Sequence, residues 1–135
     1  MTLHNDKYLK IEFFADDKLL ISTWSANLLE LSLEEYKELL LKFAEFVTQH
    51  RPEKILMDTL KAAYPITPQL QEWLIRNIAV KEMQAGVKRV AYLQPLDFTS
   101  KLGIELTREK ETAAGTGIVR MFFDDKDEAL KWLNG

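Results

Sequence analysis

The residues with the clearest capacity for chemistry lie in one stretch: Asp58, Thr59, Lys61, Tyr64 and Thr67. Asp58 can orient a neighbouring hydroxyl or hold a ligand. It can equally cap backbone amides as the chain leaves a strand. Thr59 and Thr67 each offer a hydroxyl able to accept a phosphoryl group, and a phosphate is electrostatically favoured at a helix N-terminus. Thr67 precedes Pro68, and that pair is also the ordinary start of a helix, with threonine as cap and proline in the first turn. Lys61 and Tyr64 could touch an anionic or aromatic ligand, or simply be solvated loop residues.

Other catalytic patterns are missing. His4 and His50 are the two histidines, and neither has a second histidine or a carboxylate at metal-ligand spacing, so no metal site is implied. No Gly-x-Ser-x-Gly elbow is present, so no nucleophile–base pair emerges. Ala113-Ala114-Gly115-Thr116-Gly117 superficially resembles a phosphate loop. It precedes a strand where such a loop opens a helix, and it lacks the Gly-Lys-Ser/Thr ending. No cofactor is implied. With no cysteine, disulfides and thiolate chemistry are excluded, which suits a reducing cytoplasm.

A second set of residues carries binding potential without chemistry. Phe13, Phe14, Trp24, Tyr36, Phe43, Phe46, Trp73 and Tyr92 are either core or the walls of an apolar cavity between a sheet and its helices. Phe14, with Leu28, Leu29 and Leu31, is harder to bury in a monomer and offers a dimer or partner surface.

The elements that must position these residues follow from periodicity. Tyr8 to Phe14 alternates, Asp16-Asp17-Lys18 is a polar turn, and Lys18 to Trp24 is again β-rich, which predicts an antiparallel hairpin. Ser32 to Glu35 forms a capping box for a helix carrying Tyr36, Leu39, Leu40, Phe43, Phe46 and Val47, ended by Arg51-Pro52. Lys54 to Asp58 is apolar without alternation, as in a strand covered on both faces. A second helix runs from Thr67-Pro68 to Ala85-Gly86 with Leu70, Trp73, Leu74 and Ile78 inward. Val87 to Leu93 is a strand closed by Gln94-Pro95. Asp97 is placed to cap a third helix with Phe98, Leu102 and Leu106, weakened by Gly103. Glu111 to Gly117 reads as a mobile loop, Ile118 to Phe123 as a fifth strand, and Asp125 as the cap of a last helix. The expectation is one α/β domain over residues 1–135, with a mixed five-stranded sheet and about four helices.

Composition narrows the function classes. Hydrophobic residues make up 47% and the net charge is -3, so no basic surface invites nucleic acid. No apolar run reaches the length of a membrane span. The start of the chain lacks the basic and apolar regions of a signal peptide, so a cytoplasmic location is expected.

The order hairpin, capped helix (Ser32, Glu35, Tyr36), strand ending in aspartate (Ile55-Leu56-Met57-Asp58), helix with Trp73-Leu74, and Gly86-Val87-Lys88-Arg89-Val90-Ala91 resembles a known group. With the ending Phe122-Phe123-Asp124-Asp125 and Glu128-Ala129-Leu130-Lys131-Trp132-Leu133, it resembles uncharacterised bacterial proteins of the STAS superfamily, near the sporulation anti-sigma-factor antagonists. The resemblance implies a non-enzymatic signalling or protein-binding module. Signalling members carry Asp-Ser-Ser/Thr-Gly at a helix N-terminus, with a serine phosphorylated by a partner kinase. Here Asp58 and Thr59 match, while the next hydroxyl and the glycine are replaced by Leu60 and Lys61. Two functional expectations follow: a regulatory module with a protein partner or a second copy of itself, or a domain binding a small molecule or lipid in an internal apolar pocket.

Overall fold

The structure, a computed structural model, describes residues 1–62, 64–94 and 98–135. A mixed six-stranded sheet runs in sequence order, β1 (Thr2–Asn5), β2 (Leu9–Phe14), β3 (Leu19–Trp24), β4 (Lys54–Asp58), β5 (Arg89–Leu93) and β6 (Val119–Phe123). The first three strands pair antiparallel and β3 to β6 pair parallel. The hairpin of β2 and β3 and the three later strands lie where periodicity places them. β1 is an addition. Its four residues show no apolar alternation, and it exists by pairing with β2 through a register shift between Thr2 and His4.

Each parallel connection advances one strand in the same direction. Right-handed crossovers that all advance the same way set their helices on one face of the sheet. That face carries α1 (Leu33–His50), α2 (Pro68–Leu74) and α3 (Val80–Ala85), with α4 (Phe98–Ala114) against α2. α5 (Lys126–Asn134) follows β6 and packs on the opposite face, over β4, β5 and β6. Two cores result. Leu9, Ile11, Leu20, Ile55 and Val90 meet Leu40, Phe43 and Val47 of α1, while Leu19, Ile21, Leu56, Ala91 and Leu93 meet Ala129 and Leu133 of α5. β4 is thus buried on both sides, Ile55 facing one core and Leu56 the other, which is why its sequence does not alternate.

The helix ends follow local chemistry. Ser32 Oγ accepts from the Glu35 amide at 3.1 Å, and the Ser32 amide donates to Glu35 Oε1 at 2.9 Å. Arg51 takes the left-handed conformation (φ 49°) and ends α1 before Pro52. Gly86, with φ 95°, ends α3. Between α2 and α3 the chain does not break, but Ile75–Ala79 forms a π turn. Asn77 Nδ2 donates to the Trp73 carbonyl at 2.9 Å, steadying an acceptor that a regular i→i−4 ladder would have bonded differently.

α4 departs from the sequence expectation in two ways. It continues through Ala114, so Glu111 to Ala114 is helical and only 115–118 connects it to β6. Its inward face is Gly103, Ile104, Thr107 and Glu111, whereas Leu102 and Leu106 are 42% and 39% exposed. The cap expected at Asp97 and the stop at Pro95 lie outside the described residues. Gly103 has a packing reason: a Cβ there would sit 2.8 Å from the Cβ of Ile66. Helix propensity alone would make Gly103→Ala stabilising by about 1 kcal/mol. The clash should reverse the sign, for a net loss of about 1 kcal/mol in urea unfolding; a more stable variant would refute the close approach.

Candidate ligand-binding site

A cavity of about 100 Å³ lies between the sheet and the helices on its α1–α4 face. The carboxyl ends of β3, β4 and β5 supply Trp24, Met57 and Tyr92 to its wall, and Thr59 follows directly after β4. The helices close it with Tyr36 and Leu40 of α1, Ile75, Ile78 and Ala79 of the π turn, and Ile104 and Thr107 of α4. The distorted turn therefore forms part of the cavity wall, a common setting for such turns.

The aromatic walls are individually held. Trp24 Nε1 donates to Ser22 Oγ at 3.0 Å, and its ring meets Phe43 edge-on with centroids 5.9 Å apart. Tyr36 and Tyr64 stack at 3.9 Å, and the Tyr64 hydroxyl donates to the Leu31 carbonyl at 3.3 Å. Burial raises the Tyr36 pKa far beyond the usual phenol range, so it stays neutral.

One end of the cavity is charged. Arg120, on the same face of β6 as Phe122, is 7% exposed, and each of its three guanidinium nitrogens donates a hydrogen bond. Nε and Nη2 donate to the two oxygens of Glu111 on α4, the second at 2.8 Å. Nη2 also donates to Glu82 Oε1 on α3 at 2.8 Å, and Nη1 to the Tyr92 hydroxyl on β5 at 3.0 Å. Thr116 Oγ1 donates to Glu111 Oε2 at 2.7 Å. Burial raises the pKa of Glu82, an effect that Arg120 opposes and Glu111 adds to. Tyr92 is pushed up to about 12, first by burial, with Arg120 pulling down and Glu82 and Glu111 pushing up. For Arg120, burial pulls down, but Tyr92, Glu82 and Glu111 together hold it well above its ordinary value.

The structure divides the residues singled out by sequence. Thr59 and Tyr64 reach the cavity wall; Asp58, Lys61 and Thr67 do not. Asp58 Oδ1 accepts from the Leu60 amide at 3.3 Å, Lys61 is exposed, and Thr67 Oγ1 accepts from the Leu70 amide at 3.2 Å as the cap of α2. The Thr59 hydroxyl is buried and donates to the Leu93 carbonyl, so a phosphoryl donor would meet it only after the loop opened. Leu28 proves to be buried and lines the cavity, correcting its assignment to an exposed surface. Leu31 is half-buried against the core, while Leu29 and Phe14 remain exposed at opposite ends of β3 and share no patch. Of the aromatic set, Trp24, Tyr36 and Tyr92 line the cavity, and Phe43 is core. His4 bonds Asp6 at 2.8 Å and His50 packs on Phe13, both away from the cavity. Among the described residues no group of His, Asp and Glu could hold a metal ion, and no helix is long and apolar enough to cross a membrane.

Glu82, Glu111 and Arg120 are the functional candidates that periodicity missed. Their signal was a lone arginine in an apolar strand and a glutamate following an inward apolar stripe. No family model, curated protein or solved structure matches the chain.

Removing the arginine while leaving both acids buried should cost about 3–5 kcal/mol, so Arg120→Met is expected to fold poorly. The raised pKa of Glu82 means that the folded state binds its proton more tightly than the unfolded state. Its contribution to stability is therefore fullest below the ordinary carboxylate range and falls as pH rises through the raised value. Glu82→Gln should flatten that fall in urea unfolding followed from pH 4 to 8; an unchanged slope would assign the pH dependence elsewhere.

Proposed function

We propose that this protein is a non-catalytic small-molecule-binding domain, with its ligand enclosed between the sheet and the α1–α4 layer. The observation that carries this reading is the cavity itself, with aromatic walls and a charged end buried in a small domain. Protein interiors are otherwise close-packed, and engineered apolar cavities of roughly 150 Å³ are enough to hold benzene. A cavity of about 100 Å³ suits a compact ligand, with any longer part reaching out past the wall. Apolar walls with a few convergent polar groups are the usual make-up of a small-molecule site.

The STAS-like order of elements is in keeping with a regulatory role in the cytoplasm, in which occupancy is relayed to a protein partner. The segment after β4 supplies the means. Thr59, Ala62 and Tyr64 face the cavity, while Lys61, Pro65 and Thr67 on the same segment are exposed. A ligand that shifts the inner residues would alter the outer ones.

Ala79→Phe, placed on the cavity wall, fills the space. A thermal-shift screen of compact, mostly apolar compounds should raise the melting temperature of the wild type and not of this variant. A compound at 100 times its Kd adds about 2.7 kcal/mol of stability. Equal responses from both proteins, or none from the wild type, would remove the pocket reading.

A further inference from the structure

The charged end of the cavity contains two carboxylates, Glu82 and Glu111, against one guanidinium, Arg120. Both oxygens of Glu111 are occupied, by Arg120 and Thr116. Glu82, 3% exposed, uses Oε1 on Arg120, and its second oxygen makes no hydrogen bond among the described residues. Arg120 is not an anchor for an anion, because three of its nitrogens already donate to Glu82, Glu111 and Tyr92. The other guanidinium on the lining, Arg108, is exposed and lies over the Phe122 ring at 5.7 Å. An anionic ligand would add like charge to a buried carboxylate, whereas a cation would balance it. The neighbouring walls, Trp24, Tyr36, Tyr64 and Tyr92, present aromatic rings, the surfaces that attract cations and cover hydrocarbon.

Resting on the pocket reading above, we propose that the ligand is a compact primary amine bound as its ammonium ion, with the charge on Glu82 and the hydrocarbon part against the aromatic walls. No bond is made or broken beyond a proton transfer. Where Glu82 is protonated before binding, the ammonium displaces that proton to solvent and pairs with the carboxylate. Amine affinity then rises with pH as Glu82 ionises more readily. The other titratable groups facing Glu82 are Arg120, Glu111 and Tyr92, with Tyr36, Tyr64 and Arg108 elsewhere on the lining. With their pKa values raised, Arg120 stays charged and Tyr36, Tyr64 and Tyr92 stay neutral from pH 5 to 8.

The test is calorimetric titration of the intact protein at pH 7 with three probes of one chain length: n-butylamine, 1-butanol and butyrate. The amine is expected to bind at least tenfold more tightly than the alcohol, and butyrate most weakly. Its affinity should rise from pH 5 to 8 while that of butanol stays flat, and Glu82→Gln should bring the amine down to the level of butanol. Butanol binding as well as the amine, or butyrate binding best, would overturn the ligand class and leave the pocket in place. Failure of all three to bind would overturn both readings. The wild-type comparison stands even if the variant does not fold.

Discussion

Arg120 is the point at which the sheet meets two of the helices that cover it. It stands on the edge strand β6, yet its guanidinium reaches β5 through Tyr92, α3 through Glu82 and α4 through Glu111. α4 contacts the rest of the fold mainly through α2 and the π turn, and Glu111 with Arg120 and Arg108 with Phe122 tie it to β6. A buried ion pair is weak ground for net stability, because desolvation offsets much of the attraction. Its effect here is geometric. The guanidinium holds α3 through Glu82 and α4 through Glu111 against β5 and β6, and the cavity lies between these helices and the sheet.

The sheet order explains why the cavity lies where it does. In doubly wound sheets, ligands sit in the crevice where the strand order reverses. This sheet advances from β1 to β6 without reversal, so no such crevice opens. The helices that connect the parallel strands crowd one face, and the free volume lies beneath them, near the carboxyl ends of β3 to β5. Asp58 occupies the position where a crevice ligand would be sought, and it is spent on the Leu60 amide. The residue one step further, Thr59, turns inward.

Much of the fold was legible because local chemistry and tertiary packing agree along most of the chain. The box at Ser32 and Glu35, the cap at Thr67 and the stop at Gly86 each fix an end by their own hydrogen bonds, and burial on both faces explains the unbroken apolar run in β4. What stayed hidden depends on distant partners. β1 is a strand only because β2 offers an unpaired edge. The end of α4 looks like a loop because its residues are small and polar. It holds as helix through Glu111, whose partner Arg120 is nine residues away and on the sheet. Hydrophobic periodicity does not find the inward face of α4 for the same reason: Leu102 and Leu106 are outside, and Gly103 and Glu111 serve contacts that it does not weigh.

The π turn links the fold to the site most directly. It interrupts the i→i−4 ladder between α2 and α3, a local cost that a straight helix would avoid, and its residues line the cavity. An α-helix turns roughly 100° per residue. With Leu70 held in the core, the residue accommodated at Ile75–Ala79 therefore changes the direction of everything after it by about that angle. In a straight helix Glu82 would point away from Arg120, and the guanidinium would be left with a single carboxylate. The distortion, the buried second acid and the cavity thus form one arrangement, and each is hard to account for without the other two.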